Sequence, residues 1–144
     1  MKKRICRGVL IILVVIVAGL LIADGVVYPR KTDILDLLNV DETQIAAVEI
    51  WHNGETISVD DPKQIERILL ACEGKIERKY NDYFIHYSLG SWDIRFIDQN
   101  GNATQWISAF GPDSFQYRHY FYAFAEPDKQ RYETIVAIWE ELNP

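Results

Sequence analysis

The chain has 144 residues, 49% of them hydrophobic, and its 21 acidic against 15 basic side chains give a formal net charge of −6. That length suits one domain with a modest core. A nucleic-acid partner is not expected, because phosphate binding needs a clustered cationic face, whereas Lys63, Arg67, Lys75, Arg78, Lys79 and Arg95 are interspersed with acids.

The basic head Met1 to Arg7 leads into the apolar run Val9 to Ala23. Together they predict an N-terminal transmembrane helix, so that the chain meets the membrane through Val9 to Ala23. Lys2, Lys3, Arg4 and Arg7 would hold the start in the cytoplasm, and the remainder would emerge as the extracytoplasmic domain of a single-pass protein of the cell membrane. The run alone is shorter than the about 20 apolar residues that cross hydrocarbon, but Gly8 to Tyr28 reaches that length with Asp24 as its one charge. A cleaved leader is the competing reading, since Ala23-Asp24-Gly25 puts small residues at the two positions a signal peptidase reads. Residues 1–28 are then head and anchor or uncleaved signal, 29–44 a juxtamembrane linker with a short helix, and 45–144 the extracytoplasmic domain. From Arg30 onward 20 acids face 11 bases, a balance of −9. Cys6 and Cys72 would fall on opposite sides of the membrane, so no intrachain disulfide is expected.

Thr32-Asp33 can cap a short helix carrying Ile34, Leu35, Leu37 and Leu38. Ile45 to His52 and Glu55 to Val59 flank Asn53-Gly54, a pair that takes the positive φ values of a two-residue hairpin turn. Alternation sets Val48, Ile50, Ile57 and Val59 against Glu49, Thr56 and Ser58. Asp60-Asp61-Pro62 then opens a helix with Ile65, Ile68, Leu69 and Cys72 on one stripe, and Gly74 stops it. Lys75 to Lys79, the densest positive stretch, reads as a solvated face. Tyr83 to Leu89 could be a strand lined by Tyr83, Ile85 and Tyr87. Trp92 to Asp98 alternates well, and Asn100-Gly101 joins it to a second strand, Ala103 to Phe110. Phe115 to Phe124 fits either period and is assigned to a strand on its aromatic content. Asp128 caps a last helix with Tyr132, Ile135, Val136, Trp139 and Leu142 on one stripe. The expected fold class is therefore α+β: after the membrane helix, an antiparallel sheet of about five strands with two amphipathic helices packed on it.

Chemistry is sparse. Asp98-Gln99-Asn100-Gly101-Asn102 resembles the start of a calcium loop, but Ala109 stands where the bidentate acid should be, so a hairpin turn explains these residues. His52, His86 and His119 have no zinc-ligand spacing. Asp60-Asp61 reads as helix capping before acid–base catalysis, Ser91 and Ser114 lack a nucleophile elbow, and Cys72 sits on an apolar stripe. No catalytic, metal or cofactor-binding residues are assigned and no cofactor is expected. The one candidate contact face is aromatic: Trp51, Trp106, Tyr117, Tyr120 and Tyr122, which if exposed could stack on a sugar ring or anchor a protein.

The order of a Lys/Arg head, one apolar span, an Ile-rich hairpin, the Asp-Pro-capped helix VDDPKQIERILL and a closing aromatic-bearing helix resembles the small membrane-anchored domains of unknown function of Gram-positive bacteria. The resemblance implies a bacterial envelope setting and carries over no catalytic residues. The expected function is a non-enzymatic, membrane-tethered extracytoplasmic module binding an envelope protein or glycan. A small envelope hydrolase or metal-dependent enzyme is the alternative from another class, and a structural accessory subunit of a membrane complex is the third.

Overall fold

Asn53 and Gly54 both adopt positive φ, 50° and 90°, and this turn joins β2 (Ile45–His52) to β3 (Glu55–Val59) as expected of an Asn-Gly hairpin. The computed structural model describes residues 2–79 and 91–144, so the expected strand Tyr83 to Leu89 and His86 lie outside the described residues. The chain divides into two compact units, Met1–Arg30 and Lys31–Pro144.

The first unit is the helix α1 (Lys2–Val27), whose side chains from Leu10 to Ala23 are exposed. Among the described residues no helix is long and apolar enough to cross a membrane, which corrects the expected transmembrane helix and signal anchor. The uninterrupted apolar run Val9 to Ala23 has 15 residues. At about 1.5 Å per residue it rises only roughly 22 Å, against a hydrocarbon layer of about 30 Å.

The second unit is built on one antiparallel sheet of eight strands, rather than about five. Besides β2 and β3 it contains β1 (Lys31–Asp33), β4 (Lys75–Lys79), β5 (Trp92–Asp98), β6 (Ile107–Ser108), β7 (Ser114–Tyr117) and β8 (Tyr120–Phe124), in the order β1-β4-β8-β7-β6-β5-β2-β3. Three departures account for the extra strands. Lys75–Lys79 is a strand, with Ile76 and Arg78 buried and its charged neighbours turned out. The segment Phe115 to Phe124 is a hairpin whose turn at Arg118-His119 places Arg118 at φ 55°. Lys31–Asp33 pairs with β4 ahead of the short helix α2 (Ile34–Leu38). The strand expected over Ala103 to Phe110 shortens to one bridge, Ile97 to Ala103, followed by β6.

Register gives the sheet two chemically distinct faces. Ile57, Ile50, Ile94, Ile107, Tyr117 and Tyr120 are paired in sequence across five strand pairings and share one face. Val48, Trp92, Phe96, Phe115, Tyr122 and Phe124 are buried on that same side. α3 (Pro62–Cys72) and α4 (Lys129–Leu142) cover it: Trp139 and Tyr132 meet the Trp92 ring edge-on, at centroid separations of 5.5 and 6.4 Å. Both helices begin as the sequence requires. The Asp61 carboxylate accepts from the amides of Lys63 and Gln64, with Pro62 in the first turn, and the Asp128 carboxylate accepts from the Gln130 amide.

The end of α3 is closed from outside. Arg131 Nη1 donates to the carbonyls of Ala71 and Glu73, while its guanidinium lies 4.8 Å from the Phe124 ring centre, tying α3, α4 and β8 together. Gly74 makes this approach available. Its φ is 124°, and a Cβ there would lie 2.9 Å from Arg131 Nη2. Gly74→Ala should therefore lower unfolding free energy by about 1–3 kcal/mol in urea titration, from the backbone conformation and the displaced arginine together.

Candidate functional site

The second face of the sheet differs in chemistry. Every outward residue of the described strands is partly or fully exposed, whereas α3 and α4 lie against the other face. Trp51 stands between Thr56 and Asp93 in the pairing of β3, β2 and β5. One step along, Glu49 faces Arg95: Nε donates to Oε2 at 2.6 Å and Nη2 approaches the same oxygen at 2.5 Å. The Trp106 ring lies 4.5 Å from the Arg95 guanidinium carbon, so a carboxylate, a planar cation and an indole form one stack of contacts. Asp93 is committed to the end of β6, accepting from the Ser108 hydroxyl at 3.2 Å and from the amide of Ala109, just after the strand, at 3.0 Å.

The five aromatic residues singled out in the sequence do not converge. Trp51 and Trp106 are on the open face, whereas Tyr117, Tyr120 and Tyr122 are on the helix-covered face. Tyr117 and Tyr122 are core residues, 6% and 0% exposed, and Tyr120 stacks with Arg78 at 4.4 Å. What the sequence did not single out is the Glu49–Arg95 pair between the two indoles. The opposed alternation of Ile45 to His52 and Trp92 to Asp98 carried that signal, but using it required knowing that these strands are neighbours.

A concave site lies elsewhere, at the end of the sheet on the helix-bearing side. It has a volume of about 320 Å³ and an apolar floor of Leu38, Val40, Ile45 and Phe96, with the exposed Ala103 at its edge. Its walls are the segment from α2 into β2, which includes a single 3-10 turn at Glu42–Gln44, and the Asp98–Asn102 turn; the Gln99 amide donates to the Gln44 carbonyl at 2.9 Å and holds them together. A register shift between Ile45 and Ala47 bends β2 at this point. Asp98 Oδ1 accepts from the amides of Asn100 and Asn102, and Oδ2 accepts from Asn102 Nδ2. Asp41 accepts from the amide and hydroxyl of Thr43. These hydrogen bonds hold both carboxyls below their usual range, so both are anionic near neutral pH and neither can act as a general acid there.

His52 and Cys72 are occupied by structure. His52 stacks on Trp92 at 3.8 Å, accepts at Nε2 from Asn53 Nδ2, and thereby presents an Nδ1–H that donates to the Ser91 carbonyl at 3.1 Å. His119 is exposed in the β7–β8 turn. Burial pushes the Cys72 thiol up to about 12, far from a reactive thiolate. Among the described residues no group of three His, Cys, Asp or Glu side chains could hold a metal ion.

In comparisons with known protein families, curated proteins and solved structures, nothing matches the chain. The functional conclusion therefore rests on the side chains themselves. One consequence of the turn chemistry is measurable. Because the Asp98 carboxyl is held below its unfolded value, its contribution to stability is complete above about pH 4 and is lost as pH falls through the folded value. The difference in urea midpoint between the wild type and Asp98→Ala should be constant at neutral pH and narrow below about pH 4.

Proposed function

We propose that the chain is a non-enzymatic binding module and that its ligand is a glycan laid across the open face of the sheet. The observation that carries this reading is the pairing of Trp51 and Trp106 on one face, with the Glu49–Arg95 pair between them. Trp51 belongs to β2, and Trp106 immediately precedes β6 with its ring against Arg95 of β5, the strand between them. Two indoles on one face, with a strand between them, suit alternate sugar rings of an extended polymer, whose axial C–H groups stack on indole. Glu49 and Arg95 supply an acceptor and several fixed donors for the hydroxyls at the ring edges. A partly exposed sheet face favours an extended polymer over a monosaccharide.

The test is co-sedimentation with insoluble polysaccharides, namely cellulose, chitin and purified bacterial sacculi, followed by calorimetry with soluble oligosaccharides of the polymer that binds. Trp51→Ala and Trp106→Ala should each weaken binding about tenfold or more, a loss of about 1.4 kcal/mol. Both should leave thermal unfolding close to wild type, because neither ring is in the core. Failure to bind any of the three polymers, or unchanged binding by both folded variants, contradicts the assignment.

A further inference from the structure

The cleft between the Leu38 to Ile45 segment and the Phe96 to Thr104 segment is separate from the glycan face and on the opposite side of the sheet. We propose that it binds a small linear aliphatic amine, with the alkyl chain along the apolar floor and the ammonium group at the acidic rim. Its volume of about 320 Å³ lies at the small end of ligand sites. Leu38, Val40, Ile45 and Phe96 supply the floor, and Phe96, only 1% exposed, anchors it to the core.

Charge decides between ligands of similar shape. The rim carries the carboxylates of Asp41 and Asp98, and none of the eleven lining residues is Lys, Arg or His. Each carboxylate is kept ionised by donors from its own turn, which leaves its negative charge unmatched by any cation within the cleft. The Gln44 and Thr104 side chains add neutral acceptors beside them. An anion would meet two like charges, and a neutral alcohol would gain only the burial of its chain. An ammonium gains both burial and opposite charge. The register shift between Ile45 and Ala47 lies beside the cleft, at Ile45 of its floor.

The experiment uses the full chain, amide-labelled with nitrogen-15, titrated separately with n-pentylamine, n-pentanol, pentanoate and Nα-acetyl-lysine methylamide at neutral pH. The expected result is saturable shifts at the amides of Gln44, Asn102 and Thr104 with pentylamine, and at least tenfold weaker binding of the alcohol and of the carboxylate. The lysine derivative reports the source of the amine: shifts weaker than those with pentylamine support a free small amine, and tighter binding overturns that assignment in favour of a peptide side chain. Added sodium chloride should weaken pentylamine binding. Asp41→Asn should reduce affinity severalfold while the spectrum outside the cleft stays unchanged. Equal shifts with all the pentyl compounds, or shifts spread away from the cleft, overturn the proposal even if the Asp41 variant does not fold. Because Trp51 and Trp106 are not part of this cleft, Trp106→Ala should leave pentylamine binding unchanged, whatever its effect on polysaccharide binding.

Discussion

The pairing of β2 with β5 is the constraint on which the rest of the domain depends. Val48 to Phe96, Glu49 to Arg95, Ile50 to Ile94 and Trp51 to Asp93 are set opposite one another, and successive pairs point to opposite faces. A slip of one residue would turn Val48 and Ile50 to water and drive Glu49 and Trp51 under the helices. Each fully buried aliphatic side chain contributes about 1.5–3 kcal/mol, and a displaced charge in the core would cost several more. The register that buries the core is therefore the same register that brings Trp51, Glu49 and Arg95 out on the other side. Core and surface are two consequences of one alignment.

Around that pairing, long-range contacts do what a disulfide would do in a smaller secreted domain. Cys72 is free and buried, a hydrophobe on the inner stripe of α3. α4 closes the layer through Trp139, His52 and Trp92, whose rings pack at centroid distances of 3.8 to 5.7 Å. Arg131 extends from the same helix to cap α3. At the far edge, Arg67 and Glu141 form a salt bridge of 3.0 Å between the two helices. Both partners are substantially exposed, so this bridge adds little beside the buried contacts.

Local chemistry was legible in the sequence. The Asn53-Gly54 turn and the Asp61 and Asp128 caps involve neighbours in the chain, and residue type alone determines them. The stripes Ile65, Ile68, Cys72 and Ile135, Trp139 follow from helical period. Non-local features were not legible. Lys75–Lys79 reads as charged surface because the partner that makes it a strand, β8, lies far along the chain. The β7–β8 turn has Arg118 in the left-handed region, without the Gly or Asn that would announce it. That turn also resets the alternation, so Tyr117 and Tyr120 share a face though three residues apart; the five aromatics divide because Trp51 and Trp106 sit next in sequence to the inward Ile50 and Ile107. The cleft was invisible for the same reason, since its walls come from segments more than fifty residues apart that meet through the Ile45–Asp98 pairing and the Gln99–Gln44 backbone hydrogen bond.

The described residues of the domain thus present a face carrying Trp51 and Trp106 and, at the sheet end, a small cleft rimmed by Asp41 and Asp98, and both follow from how the strands are aligned. The most direct test of that division uses the four tryptophans. The chain would be labelled with 5-fluorotryptophan, the resonances assigned by single Trp→Phe substitutions, and a soluble paramagnetic agent added while fluorine relaxation is recorded. The account predicts strong enhancement for Trp51 and Trp106 and protection for Trp92 and Trp139, which are 5% and 8% exposed. Equal enhancement of all four, or protection of Trp51 and Trp106 alongside the other two, would contradict the open face and with it the proposed ligand.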